Sequence, residues 1–497
     1  MFFTMEERLK VIYVSAEVAP FAKSGELADV ASSLPKYMSL SGMDVSIFMP
    51  KYRRPEIESL SKELSNSNLI VPLGDRQIKG RIFKSEQGKY DIYFVDNPKY
   101  FWRDNIYGTG KGEYIDNDER FVFFNRAVLE YLINQNKDID IIHCNNWPTA
   151  LIPVFLKTIY SKHPILKQTG TLLTLHNITY QGEFPPDSMK LTGLSWKYFN
   201  PDQLSQNNKL NFLKAGIIFS DAINTVSSTY REEILMKKYG FGLHDILRAR
   251  RDTFSSIRNG IDYDIWNPEK DPYIICNYSP KDLKGKRECK LDLIEEFGLK
   301  KSLDTPIIGV VSYLSSFKGF DILTEAVDEL MKLDLSMVIT GGGEEQYKVF
   351  FQEAQKKYPG RLGFKPEMNT VNSHKVAAGA DIMLIPSLYE PCGLNQLYSF
   401  RYGTVPVVRA TGGLREMVKP FLNEKGEGNG FIFKEYSSNA LIKIVQEAIS
   451  FYKKPRIWRK IIKNGFNQDY NWSKAAKKYE RLYKKILNLK KRGGQID

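Results

Sequence analysis

Short apolar runs rich in β-branched residues recur along this chain, each followed by a stretch with helical spacing. In the first half they are residues 11–14, 45–49, 90–95, 139–143, 171–174 and 222–226; in the second, 307–311, 336–339, 382–385 and 405–408. A strand that is apolar nearly throughout has both faces covered, and alternation with helices calls for parallel pairing through crossovers. The pattern predicts an α/β chain of doubly wound parallel sheets. A polar stretch with Pro268, Pro272, Pro280 and Gly285 interrupts it over 267–286, as a hinge would. The predicted domains are 1–270 and 287–470, followed by a C-terminal helix over 471–497. That helix repeats apolar residues at Ala475, Tyr479, Leu482, Ile486 and Leu489 and is expected to dock back on the first domain. Ligands of such folds bind at the carboxyl ends of the strands, here expected between the two domains.

At 497 residues the chain is too long for one ordinary domain. Its 42% hydrophobic and 26% charged residues are the balance of a soluble globular protein, not a disordered one. No apolar run approaches the roughly 20 residues that span a bilayer. Lys10 precedes the apolar run at Val11, but that run is shorter than the ~7–15-residue core of a signal peptide. A cytoplasmic location is therefore expected. Cys144, Cys276, Cys289 and Cys392 form no CxxC pair and show no metal-ligand spacing, which fits unpaired thiols in a reducing compartment. The net charge of +13 points to an anionic partner. The basic residues are dispersed except around Lys484, Lys485, Lys490, Lys491 and Arg492, read as a solvated helix face. Neither a nucleic acid nor a membrane is expected as a partner.

Two segments carry chemistry. The first strand runs into Phe21-Ala22-Lys23-Ser24-Gly25-Glu26-Leu27-Ala28-Asp29-Val30. A small residue and a glycine at a strand-to-helix turn bring backbone N–H groups near an anion, and Lys23 adds a full charge. This is neither the GxGxxG dinucleotide fingerprint nor a GxxxxGK[ST] phosphate loop. The second segment, Pro386-Ser387-Leu388-Tyr389-Glu390-Pro391-Cys392-Gly393-Leu394-Asn395-Gln396, follows a strand and opens a helix. The N–H groups of Cys392, Gly393, Leu394 and Asn395 are expected to face a phosphate there. Glu390 stands beside them as an acceptor for sugar hydroxyls.

Together these segments resemble the bacterial glycogen synthase and plant starch synthase family. That family has a Lys-x-Gly-Gly-Leu loop near its N-terminus and a Glu-Pro-Cys-Gly-Leu-Thr-Gln segment in its second domain. Four further segments, beginning at Leu173 (LTLHNITYQG), Ile257 (IRNGID), Lys318 (KGFD) and Thr411 (TGGL), match the family in the same order. The resemblance implies a GT-B fold, two Rossmann-like domains facing each other across a cleft. It also implies transfer of glucose from ADP-glucose to the non-reducing end of an α-1,4-glucan, with configuration retained and with neither metal nor cofactor. The partners would be the nucleotide-sugar donor and the glucan acceptor. By the same resemblance the catalytic residues are Glu390, His176 and Lys318. Lys23, Gly25, Asn259, Tyr313, Lys318, Cys392, Gly393, Leu394, Asn395 and Thr411 are expected to bind the donor.

Several positions depart from the family. Glu26 stands for the second loop glycine and brings a carboxylate toward the expected diphosphate. Tyr313 stands for a phosphate-binding Arg; a phenol supplies neither a charge nor a fork of donors. Asn146 replaces Asp, Pro148 a polar residue and Asn395 a Thr, and Met368 takes the place of a Tyr on the adenine. Met368 implies weak discrimination between ADP- and UDP-glucose. Three readings stay open: a synthase with weaker donor affinity, a transferase with another donor, or a glucan-binding protein without catalysis.

Overall fold

The computed structural model describes residues 8–85, 90–109, 112–367, 369–422 and 424–493. The chain divides into two compact units. One holds residues 1–226, 231–258 and 472–497, the other 227–230 and 259–471.

In the first unit the strands lie in the order Phe254–Ser256, Ala222–Thr225, Gly170–Leu175, Ile141–Asn145, Lys10–Val14, Asp44–Pro50, Asp91–Asp96 and Arg76–Ser85. The chain starts in the middle, at Lys10–Val14, and winds outward first one way and then the other. The reversal falls between Lys10–Val14 and its parallel neighbour Ile141–Asn145, where Val14 lies opposite Cys144. Outgoing loops diverge at such a reversal and leave room for ligands. The loops that leave here carry Lys23 and Asn146, and the next strand, Gly170–Leu175, leads into His176.

This sheet is not purely parallel, contrary to the sequence expectation. Arg76–Ser85 runs antiparallel to Asp91–Asp96 and also pairs antiparallel with Leu69–Leu73. Residues 86–90 are too few for a parallel crossover, so the two strands can only be joined as a hairpin.

The second unit has a parallel sheet in the order Leu362–Lys365, Ser336–Thr340, Ile307–Val311, Ile382–Ile385, Val405–Arg409 and Phe431–Phe433. Its reversal falls between Ile307–Val311 and Ile382–Ile385, with Gly309 opposite Met383. The loops that follow these two strands carry Tyr313 with Lys318, and Ser387 with Glu390. Every residue of both strands is buried.

The unit boundary falls between Arg258 and Asn259, not at 270. The stretch read as a hinge is fastened inside the second unit. The Trp266 ring is sandwiched between His374, at 3.8 Å, and Tyr398, at 3.6 Å, both nearly parallel to it. The buried Asp271 carboxylate lies 2.7 Å from His374 Nδ1 and accepts the Tyr402 hydroxyl. Prolines mark this stretch as non-helical, but Asp271, Ile274 and Tyr278 are buried in it, and composition does not separate them from a linker.

The last helix, Trp472–Gly493, belongs to the first unit. Its buried stripe is Ala475, Ala476, Tyr479, Tyr483 and Ile486, while Leu489 is half-exposed. Helical spacing thus placed the face one position off at Leu482 and one turn too long. Tyr483 Oη lies 2.7 Å from His143 Nδ1, and Asn224 donates to Tyr479 Oη at 2.9 Å. Among the described residues no helix is long and apolar enough to cross a membrane.

The Trp266 sandwich gives a direct test. Trp266→Ala should destabilise the second unit by about 3–5 kcal/mol, as for large-to-small changes in buried cores. Urea unfolding followed by a probe in that unit measures it.

Candidate functional site

In the first unit the loop after Lys10–Val14 ends at Gly25, which caps the helix Glu26–Leu40. The N–H groups of Ser24 and Gly25 donate to Glu17 Oε2 at 2.6 and 3.2 Å. Glu17 Oε1 accepts the Ser24 hydroxyl and the Tyr107 hydroxyl, each at 2.8 Å. Glu17 is only 3% exposed. The anion that these N–H groups meet is therefore the chain's own carboxylate, not a free position for a phosphate. Lys23 Nζ sits 2.8 Å from both carboxylate oxygens of Asp29, so its charge is also matched from within. Glu26 and Asp29 occupy the first turn of the helix, where the positive end of the dipole favours carboxylates. That gives Glu26 a structural reason to differ from glycine.

His176 follows the strand Gly170–Leu175. Its Nε2 lies 2.9 Å from Asn145 Oδ1, and Asn145 Nδ2 donates to the Val14 carbonyl at 2.9 Å. The bond to Val14 fixes the Asn145 amide so that Oδ1 faces the imidazole. The imidazole then carries its proton on Nε2 and leaves Nδ1 as an acceptor. His176 keeps some accessible surface, yet enough protein surrounds the ring that desolvation pushes its pKa down to about 3. The loop is held by Asn146, whose Oδ1 accepts the N–H groups of His176 and Asn177 at 2.8 and 3.4 Å. Asn146 has φ 56° and ψ −173°, a strained conformation for any residue with a side chain. An amide oxygen there does the accepting that the family's carboxylate could do, without its charge.

In the second unit Glu390, 3% exposed, accepts Lys318 Nζ at 2.8 Å on both oxygens and the Ser387 hydroxyl at 2.9 Å. Two predicted residues thus meet as an ion pair. The helix Leu394–Tyr402 opens at Gly393, with φ 73°, and a Cβ there would lie 2.5 Å from Gln396 Oε1. At Gly412 a Cβ would lie 1.9 Å from the Glu390 carbonyl oxygen, so only glycine lets the Thr411 segment close on the Glu390 loop. Cys392, Leu394 and Thr411 are buried beside it.

The Asn395 side chain has a structural partner: its Nδ2 donates to the Val311 carbonyl at 2.7 Å, tying the helix to the end of a strand. Tyr313 is 52% exposed. Asn259 is 3% exposed, and its Oδ1 has no hydrogen-bond partner among the described residues. Met368 lies outside the described residues.

Glu17, Asn145, Asp29 and Ser387 were missed in the sequence. Each acts through a bond to a loop that the motifs did mark, and none has a spacing signal of its own. Among the described residues no group of three or more His, Cys, Asp or Glu could hold a metal ion.

The geometry can be set beside known proteins. Residues 10–249 match the starch synthase catalytic domain, and residues 294–465 match the glycosyl transferases group 1 family. The glycogen synthase of Thermotoga petrophila is 44% identical over 96% of this chain and 99% of its own length. That of Thermodesulfovibrio yellowstonii is 39% identical over 97% and 99%. The catalytic domain of starch synthase IV from Arabidopsis thaliana, bound to ADP and acarbose, aligns with a TM-score of 0.90 at 30% identity. That alignment covers 97% of this chain and all of that one. A sucrose-phosphate synthase from Thermosynechococcus elongatus, at 15% identity and a TM-score of 0.63, shares the fold. With two Rossmann-like units in the GT-B class and relatives matched from end to end, the chain belongs to the glycogen and starch synthase family.

Proposed function

We propose that this chain lengthens glycogen, moving glucose from ADP-glucose to the non-reducing end of an α-1,4-glucan with retained configuration. The observation that carries this reading is the Lys318–Glu390 pair, set on rigid elements at the carboxyl ends of the second sheet. As the bond between glucose and diphosphate breaks, negative charge grows on the leaving group, and a preorganised ammonium is matched to it. When Lys318 turns to the phosphate, the Glu390 carboxylate is released to accept hydroxyls of the sugar. A buried acceptor without a partner costs about 1–3 kcal/mol, and a sugar hydroxyl would satisfy Asn259 Oδ1. His176 Nδ1 is likewise oriented to accept a hydroxyl proton.

The starch synthase IV of the structural match is bound to ADP and acarbose, and an adenine nucleotide is the donor type assigned here. We place the activity in the cytoplasm, in keeping with Cys144, Cys276, Cys289 and Cys392 all being free thiols.

Glu390→Ala is expected to lose at least ~100-fold in glucan extension, the order seen when a preorganised electrostatic group is removed. Its glycogen binding should stay near that of the wild type, while its Tm falls because Lys318 loses its buried partner. Incorporation of radiolabelled ADP-glucose into a glycogen primer measures this. A wild type that holds glycogen but transfers glucose from no donor would instead favour a glucan-binding protein without catalysis.

The low pKa of His176 fixes the sign of a second test. Because the folded value lies far below the ordinary 6.5, the ring is neutral throughout the working range and takes a proton only near pH 3. The kcat profile between about pH 5 and 9 should therefore have the same shape in the wild type and in His176→Gln, differing in height. A step near pH 6–7 that disappears in the variant would contradict the assignment.

Tyr313→Arg should lower the KM for ADP-glucose roughly ten-fold or more, since a hydrogen bond to a charged group is worth about 1.5–3 kcal/mol. Donor titration at saturating glycogen tests it.

A further inference from the structure

The Lys23 loop is held from two sides inside the first unit. On one side the buried Glu17 carboxylate receives four donors: the N–H groups of Ser24 and Gly25, the Ser24 hydroxyl and the Tyr107 hydroxyl. On the other, the Lys23 ammonium is clamped on both oxygens of Asp29, one turn into the helix that Gly25 caps. Glu17 is itself fixed at its backbone, where its N–H donates to Ser15 Oγ at 3.3 Å and its carbonyl accepts the Ser15 hydroxyl at 2.7 Å. Tyr107 stays a donor, because burial and the neighbouring Glu17 charge push its phenol well above the ordinary range.

The N–H groups of Ser24 and Gly25 are thus committed to an internal anion. A second anion cannot take them without displacing Glu17, and Glu17 is buried with nowhere to release its charge. The loop therefore meets substrate through Lys23 and not through backbone donors. Its shape, fixed in advance, removes an ordering cost that a free loop would bear when substrate binds.

We propose that Glu17 is a positioning residue for glucose transfer: its carboxylate fills the anion site at the start of the helix and so sets where Lys23 stands. This rests on the transferase reading above. Positioning depends on the place of the two oxygens more than on their charge. In Glu17→Gln the carbonyl keeps the two N–H groups, and the new NH2 donates to the Ser24 and Tyr107 hydroxyls, which rotate to accept it. In Glu17→Asp the charge remains but the oxygens retract by one methylene, away from all four donors. Ser24 and Gly25 are exposed, so water replaces what they lose and the fold survives.

The test uses the full chain and reads kcat and KM for ADP-glucose on glycogen, Tm, and amide hydrogen exchange at Ser24 and Gly25. Glu17→Asp should exchange these amides at least about ten-fold faster. Its kcat should fall about ten- to hundred-fold, the range expected when a group is displaced by an ångström or so, with Tm near the wild type. Glu17→Gln should keep slow exchange and a kcat within about three-fold of the wild type. The reverse order, with the Gln variant inactive and the Asp variant active, would overturn the proposal in favour of a direct role for the charge. Equal kcat in all three proteins, whatever the Tm, would overturn it in favour of a purely structural role. A wild type that transfers glucose from no donor, with Glu17→Asp still speeding exchange at Ser24 and Gly25, would overturn the transferase reading and support the fixing of the loop.

Discussion

A parallel sheet wound in both directions from a central strand must reverse once, and at that reversal two neighbouring strands send their chains apart. Each unit has one such place, beside Lys10–Val14 in the first and beside Ile307–Val311 in the second. Backbone leaving these strands ends with polar groups that the sheet no longer pairs, and loops there can turn side chains toward a ligand without disturbing a core. Lys23, Asn146, His176, Lys318 and Glu390 all leave from strands at or next to a reversal. The chemistry is located by topology before any side chain is considered.

Within that frame the polar groups find partners of their own. Lys23 pairs with Asp29, Lys318 with Glu390, and the His176 loop with Asn146. Charges are costly to leave bare in a partly buried place, and in the two ion pairs the internal counter-charge holds each lysine in a defined rotamer. The substitutions relative to the family fit the same logic. Asn146 keeps the acceptor and drops the charge, Glu26 suits the first turn of its helix, and Asn395 ties its own helix, Leu394–Tyr402, to Val311. Tyr313, half-exposed, shows no such internal compensation among the described residues.

Much of the fold was legible because strands buried on both faces advertise themselves: 307–311 and 382–385 were read to the residue. Ile141–Asn145 was placed two residues early, since Asp140 breaks an apolar run only by accepting the Lys10 N–H. The hairpin strand Arg76–Ser85, half-buried and full of basic residues, has no apolar run to find. The site was legible as motifs, which name the loops, but not as a network. Glu17 stands in an unremarkable stretch, and only three-dimensional closure of the loop shows that its carboxylate answers Ser24 and Gly25. The hinge was misplaced for a related reason, since Trp266 buries a segment that prolines made look like a linker.

The return of the Trp472–Gly493 helix to the first unit has a consequence for how the protein is made. His143 and Tyr483, which share a hydrogen bond, stand 340 residues apart in the chain. The second unit is nearly continuous in sequence, and at roughly 5–20 residues per second of synthesis it emerges whole while the first still lacks a wall of its core. Tyr13, His143 and Gly170 stay uncovered until this last helix leaves the ribosome. A nascent chain that stalls before residue 472 therefore presents an open sheet face to chaperones and proteases.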